Sequence, residues 1–137
     1  MTPIVIDASV TMAWCFEDEA TEATDRVLDL LREGEAVVPS LWQLEVANVL
    51  LVAERRNRIS EAQATHFLDL MVQLPIRVDP APVDSGAVVA AGRRHGLSAY
   101  DASYLVLAER LAAPLATNDA ALAAACRTAG VLLLLDD

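Results

Sequence analysis

Four acidic residues stand in settings where a carboxylate can do chemistry: Asp7, Glu45, Asp101 and Asp119. Asp7 follows the apolar triplet Ile4-Val5-Ile6 and precedes Ala8-Ser9. Glu45 interrupts Leu41 to Val52, a stretch otherwise almost wholly apolar, and Asn48 follows on the same helical face. Asp101 comes three residues after Ser98, and Asp119 ends Thr117-Asn118-Asp119. Each has a bland reading. Asp7 and Asp119 suit helix N-caps, and Asp101 suits the third position of a capping box. Glu45 resists such a reading, because an ionised carboxylate in an apolar helix costs several kcal/mol unless paired or bound to metal. Four carboxylates drawn together repel one another. A divalent cation relieves that repulsion, and Mg²⁺ or Mn²⁺ is what carboxylate oxygens favour. Such a centre suits phosphodiester hydrolysis, in which the metal lowers the pKa of a bound water and offsets charge on the leaving oxygen.

Competing chemistries are poorly supplied. Cys15 and Cys126 are far apart with no CxxC or CxxH spacing, which speaks for two buried thiols rather than a zinc site or a disulfide. His66 and His95 have no partner at ligand spacing. There is no GxGxxG and no GxxxxGK[ST], so dinucleotide and P-loop readings fall away.

The elements that must position the acids alternate between strand and helix. Ile4-Val5-Ile6 lacks polar alternation, as expected of a strand buried on both faces of a parallel sheet, here within residues 3–7. Asp7 then sits at its carboxyl end, the side where open α/β sheets bind ligands. A short helix to Cys15 and a second over Glu17 to Glu33, ended by Gly34, precede a strand at Ala36-Val37-Val38. Ser40 with Gln43 and Ser60 with Gln63 have the capping-box form; the second opens a helix to Leu74. Ile76-Arg77-Val78 is the third strand, and a helix over 83–95 ends at Gly96. A helix from Ser98 to Leu111, a strand at Leu115-Ala116, a helix to Gly130 and a last strand over Val131 to Leu135 complete an α/β chain with a mostly parallel sheet. No linker divides it, so 1–137 reads as one domain.

The formal net charge is −10, and all ten basic residues are Arg. That balance argues against broad non-specific nucleic-acid binding, while leaving room for an enzyme whose acids hold metal. Arg55-Arg56-Arg58 and Arg93-Arg94 suit either phosphate contact or solvated helix ends. No apolar run approaches the ~18 residues of a membrane span, and Met1-Thr2-Pro3 does not open a signal peptide. The expectation is a cytoplasmic protein. Its hydrophobic fraction of 55% points to an interface with a second copy or a partner.

Taken in order, Val5-Ile6-Asp7-Ala8-Ser9, Leu44-Glu45-Val46-Ala47-Asn48, Leu97-Ser98-Ala99-Tyr100-Asp101-Ala102 and Leu115-Ala116-Thr117-Asn118-Asp119-Ala120-Ala121-Leu122 resemble the motifs of PIN-domain nucleases, among them the VapC-type toxins of toxin–antitoxin pairs. The likeness spans essentially the whole chain. It implies a PIN-like three-layer sandwich whose five-stranded parallel sheet has the order 3-2-1-4-5, placing strands one and four side by side. It implies a Mg²⁺- or Mn²⁺-dependent endoribonuclease with Asp7, Glu45, Asp101 and Asp119 as its acidic quartet. Asp7 and Asp101 would be direct ligands and Asp119 would act through water, with Ser9, Asn48, Thr117 and Asn118 in support. It implies a homodimer, an RNA substrate and a VapB-type antitoxin, for which Trp14, Phe16 and Trp42 offer a docking face, although core packing is the stronger reading of any one of these aromatics. The competing reading is a binding module without catalysis, since Asp7-Ala8-Ser9-Val10-Thr11 is similar to a DxSxS metal-adhesion motif.

Overall fold

The computed structural model describes residues 2–135. β1 (Ile4–Ile6) leads into α1 (Ala8–Cys15), a 3-10 turn at Glu17–Glu19 and α2 (Glu22–Leu30). β2 (Ala36–Val38) is followed by α3 (Leu41–Arg55) and α4 (Glu61–Gln73). β3 (Ile76–Val78), α5 (Ser85–His95), α6 (Ala99–Leu111), β4 (Leu115–Ala116) and α7 (Ala120–Ala129) complete the order. The strands pair in parallel as β3-β2-β1-β4. Helices flank the sheet, and none among the described residues is long and apolar enough to cross a membrane.

β1 and β2 are buried throughout, which is why their sequences show no polar alternation. α6 packs against β1 and β4, and its Leu105, Leu107 and Ala108 lie in the core. Its sequence is apolar on several sides because it has several neighbours to satisfy. Gly130 ends α7 in the left-handed conformation, at φ +78°, where a side chain would be strained.

Four local expectations change. The last strand is reduced to one parallel bridge, Leu115 to Leu133, flanked by the bonds Leu115 N–H to Leu132 O at 2.9 Å and Leu134 N–H to Leu115 O at 3.1 Å. Its place beside β4 is as expected. Its brevity follows from β4, which is two residues long and presents little edge to pair with. The helix over Glu17–Glu33 is two pieces, because Thr21 and Thr24 form a reciprocal capping box that restarts the chain as α2. Ser40 does not cap α3 with its side chain. It already has helical dihedrals, and Pro39 O takes the Trp42 N–H at 3.0 Å. Ser60 and Gln63 do form their box.

The fourth change concerns the aromatic docking face. Phe16 and Trp42 are buried, and Trp14 lies half-buried against the core with its indole N–H donating to Thr24 O at 2.9 Å. Burial is the stronger use of such large apolar surfaces. Arg58 stacks 3.7 Å above the Phe16 ring and donates to Asp18 at 2.8 Å and Glu19 at 2.7 Å. It is therefore committed within the chain. The large exposed apolar side chains include Leu44 and Leu51 on α3 and Leu68 and Val72 on α4.

Candidate active site

Parallel pairing sets the carboxyl ends of β1 and β4 next to each other, and the Asp7 N–H donates to Ala116 O at 3.2 Å. The turns that follow carry Asp7 and Ser9 on one side and Thr117, Asn118 and Asp119 on the other. Two hydroxyls stitch them together. Ser9 Oγ accepts the Asn118 N–H at 2.9 Å and donates to Asp7 Oδ1 at 2.6 Å. Thr117 Oγ1 accepts the Asp119 N–H at 2.9 Å and donates to Asp7 Oδ2 in a short bond. Because each hydroxyl receives an amide proton, its own proton goes to the carboxylate. Both oxygens of Asp7 are thus addressed by donors, an arrangement that suits an anion.

Asp7 is also the N-cap of α1, taking the Val10 N–H at 3.2 Å. The structural and chemical readings of this residue therefore coexist. The side chain is 5% exposed. Burial pushes its carboxyl above the ordinary range against the pull of the Ser9, Thr117 and Val10 bonds, and the Asp101 charge pushes it further.

The other acids act on the same place. Burial raises the Glu45 carboxyl; a hydrogen bond from Tyr104 opposes the rise, and the charges of Asp7 and Asp101 add to it. Burial raises Asp101 too, with the Asp119 charge adding and the Ser98 hydroxyl opposing. The electrostatic links run Asp7–Glu45–Asp101–Asp119, so the structure brings the four sequence-predicted acids into one field. Asp101 sits in the first turn of α6, where its N–H donates to the Ser98 N-cap at 3.1 Å. Asp119 caps α7 through the Leu122 N–H at 2.8 Å.

The supporting residues divide. Ser9 and Thr117 contact Asp7 directly. Asn118 contributes its backbone N–H, while its side chain belongs to an exposed residue. Asn48 is exposed one turn beyond Glu45. Thr11, the last hydroxyl of the DxSxS-like stretch, is fully buried; it donates to Asp7 main-chain O at 3.0 Å and accepts the Trp42 indole N–H at 2.9 Å. That hydroxyl is turned to the core and ties α1 to α3, which removes a donor that the binding-module reading needs.

Tyr104 is a residue the sequence reading overlooked. It is 1% exposed, and its hydroxyl donates to Glu45 Oε1 at 2.5 Å. The signal was its spacing, one helical turn after Asp101 and hence on the same face.

The donor chemistry fits a hard divalent cation: carboxylate oxygens, with like charges that raise one another's affinity for a proton or a metal. In the arrangement described, no three His, Cys, Asp or Glu side chains among the described residues stand in a metal-holding group. Asp7 is turned onto its hydroxyls and Asp119 onto its helix N-terminus.

The family model of the PIN domain matches residues 4–128. The chain belongs to the PIN-domain family. It is 30% identical over 122 residues to Ribonuclease VapC3 of Pyrobaculum aerophilum, a match covering 88% of this chain and 92% of that one. It is 38% identical over 98 residues to Ribonuclease VapC1 of Mycobacterium tuberculosis, covering 70% and 71% respectively. Among solved structures, the crystal structure of PAE2754 from Pyrobaculum aerophilum superposes with a TM-score of 0.73 at 25% identity, covering 97% of this chain and 91% of that one. This PIN domain is thus of the VapC type, and the matched span includes all four acids.

Proposed function

We propose that this PIN domain is a metal-dependent endoribonuclease, the toxin of a toxin–antitoxin pair, acting as a single catalytic unit on RNA phosphodiester bonds. The observation that carries the reading is Asp7. It is a buried carboxylate held by two hydroxyl donors, and its strongest charged neighbour is another acid, Asp101. Folding that brings like charges together is costly, and a site that binds a cation offsets that cost. The names of the VapC relatives supply the substrate class.

In this reading Asp7, Asp101 and Asp119 hold Mg²⁺ or Mn²⁺, and Glu45 completes the acidic quartet. The bound cation supplies an activated water and charge neutralisation. The chain's own residues do the rest. Ser9 and Thr117 keep Asp7 aimed and ionised, and the Asp7 backbone bond to β4 fixes the distance between the two turns. Asp101 is presented from the first turn of a buried helix, which limits its freedom. The partner is a VapB-type antitoxin, the working form a homodimer and the compartment the cytoplasm.

The test is incubation of antitoxin-free protein with total cellular RNA in Mn²⁺, Mg²⁺ or EDTA, beside Asp101→Asn. Discrete fragments that need metal and vanish in the variant are expected. Cleavage that survives in both EDTA and the variant would sink the proposal. Protein that binds Mn²⁺ yet cuts nothing would replace it with a metal-dependent binding module.

A further inference from the structure

The core of α6 contains one choice that packing does not explain. Tyr104 is buried among apolar residues, where phenylalanine would fill nearly the same volume without a polar atom to satisfy. Its hydroxyl instead reaches Glu45, 59 positions earlier, at 2.5 Å, the length of a bond to a charged acceptor. The bond joins α3 to α6. It leaves from the face of α6 that one turn earlier carries Asp101.

We infer that Tyr104 is a positioning residue that orients the Glu45 carboxylate toward the cation the acidic cluster holds. This deepens the metal-site reading given above and rests on it. Burial and the surrounding acids push the Tyr104 hydroxyl far above its ordinary range, so it remains a donor at any working pH. A permanent donor to one oxygen fixes the plane of the carboxylate. α6 thereby sets two acids at once: Asp101 by its own backbone and Glu45 through Tyr104.

The experiment is Mn²⁺ binding by titration calorimetry to the wild type, Tyr104→Phe, Glu45→Ala and the double variant, with circular dichroism as the check on fold. Tyr104→Phe removes one oxygen and is expected to weaken Mn²⁺ about 10- to 100-fold, the usual effect of losing an outer support of a metal ligand. In the Glu45→Ala background the same change should alter the Kd by less than about twofold, since its route of action is gone. Tyr104→Phe binding Mn²⁺ as the wild type does would overturn the inference. So would an equal weakening in both backgrounds, which would mark a packing role. Wild type that binds no Mn²⁺ would overturn this inference and the metal reading together. The expected cycle in a protein that cuts no RNA would uphold Tyr104 and reject the nuclease.

Discussion

Thr117→Val tests the clamp on Asp7 most directly. The side chain is 5% exposed, and valine keeps its shape while deleting the hydroxyl. Two bonds disappear: the donor to the Asp7 carboxylate and the acceptor for the Asp119 N–H. A hydrogen bond to a charged group contributes about 1.5–3 kcal/mol and an ordinary one about 0.5–1.5. The Asp119 backbone is half-buried, so water can replace part of its loss. The sum is about 2–4 kcal/mol, or ~1–2 M in urea midpoint at a slope of about 2 kcal/mol per molar for a chain of this size. Thr117→Ser retains the hydroxyl and loses a methyl, worth about 1 kcal/mol or ~0.5 M. Urea unfolding in EDTA at neutral pH, followed by far-UV circular dichroism, separates the two. Valine and serine variants with midpoints within about 0.3 M of each other would refute the claim that the hydroxyl holds Asp7.

Three further outcomes follow from the same geometry. Asp101→Asn should remove RNA cleavage yet raise the metal-free Tm by ~2–4 °C, because burial and the Asp119 charge already oppose its ionisation; a lower Tm would count against the coupling. Asp7, Glu45 and Asp101 all hold protons to higher pH in the folded chain than their ordinary values of 3.8, 4.5 and 3.8. The native state therefore binds protons that the unfolded chain has released, and this contribution to metal-free stability rises as pH falls from neutral into that raised range and levels off below the ordinary one. Replacing all three by their amides should flatten the acid-side slope of the urea midpoint; an unchanged slope contradicts the assignment. Burial pushes the Cys126 thiol up to about 11, while Cys15 is half-buried, so a thiol reagent should label Cys15 first and Cys126 only as the chain unfolds. Mass mapping of the labelled peptides decides the order.

Much of the fold was legible because the signals were local. Ile4-Val5-Ile6 has no polar alternation since neither face of β1 meets water, and Ser60-Gln63, Gly96 and Gly130 mark helix ends by their own chemistry. Glu45 stood out for the opposite reason, as a residue its apolar surroundings do not otherwise want, whereas Asp7, Asp101 and Asp119 also suit the helix starts they occupy. What escaped depends on neighbours in space. Phe16 and Trp42 read as core taken singly and as a docking face only taken together, and the packing of the helices decides for the core. Val131 to Leu135 has the composition of a strand, but its length is set by the two residues of β4 beside it. Tyr104 looks like any aromatic in an apolar helix, and only the approach of α3 gives its hydroxyl a purpose.

The bond from Thr117 to Asp7 spans 110 positions. Synthesis runs from the amino end, so the first acid of the site leaves the ribosome long before its clamp exists. β1 waits equally long for β4, one of its two neighbours in the sheet. A nascent chain that has reached α6 carries three of the four acids, but lacks the hydroxyl and the strand that set Asp7. Non-local pairing of this kind is also the slow part of folding. The setting of Asp7 therefore waits for β4 and the turn after it, and a chain cut short before β4 would lack it.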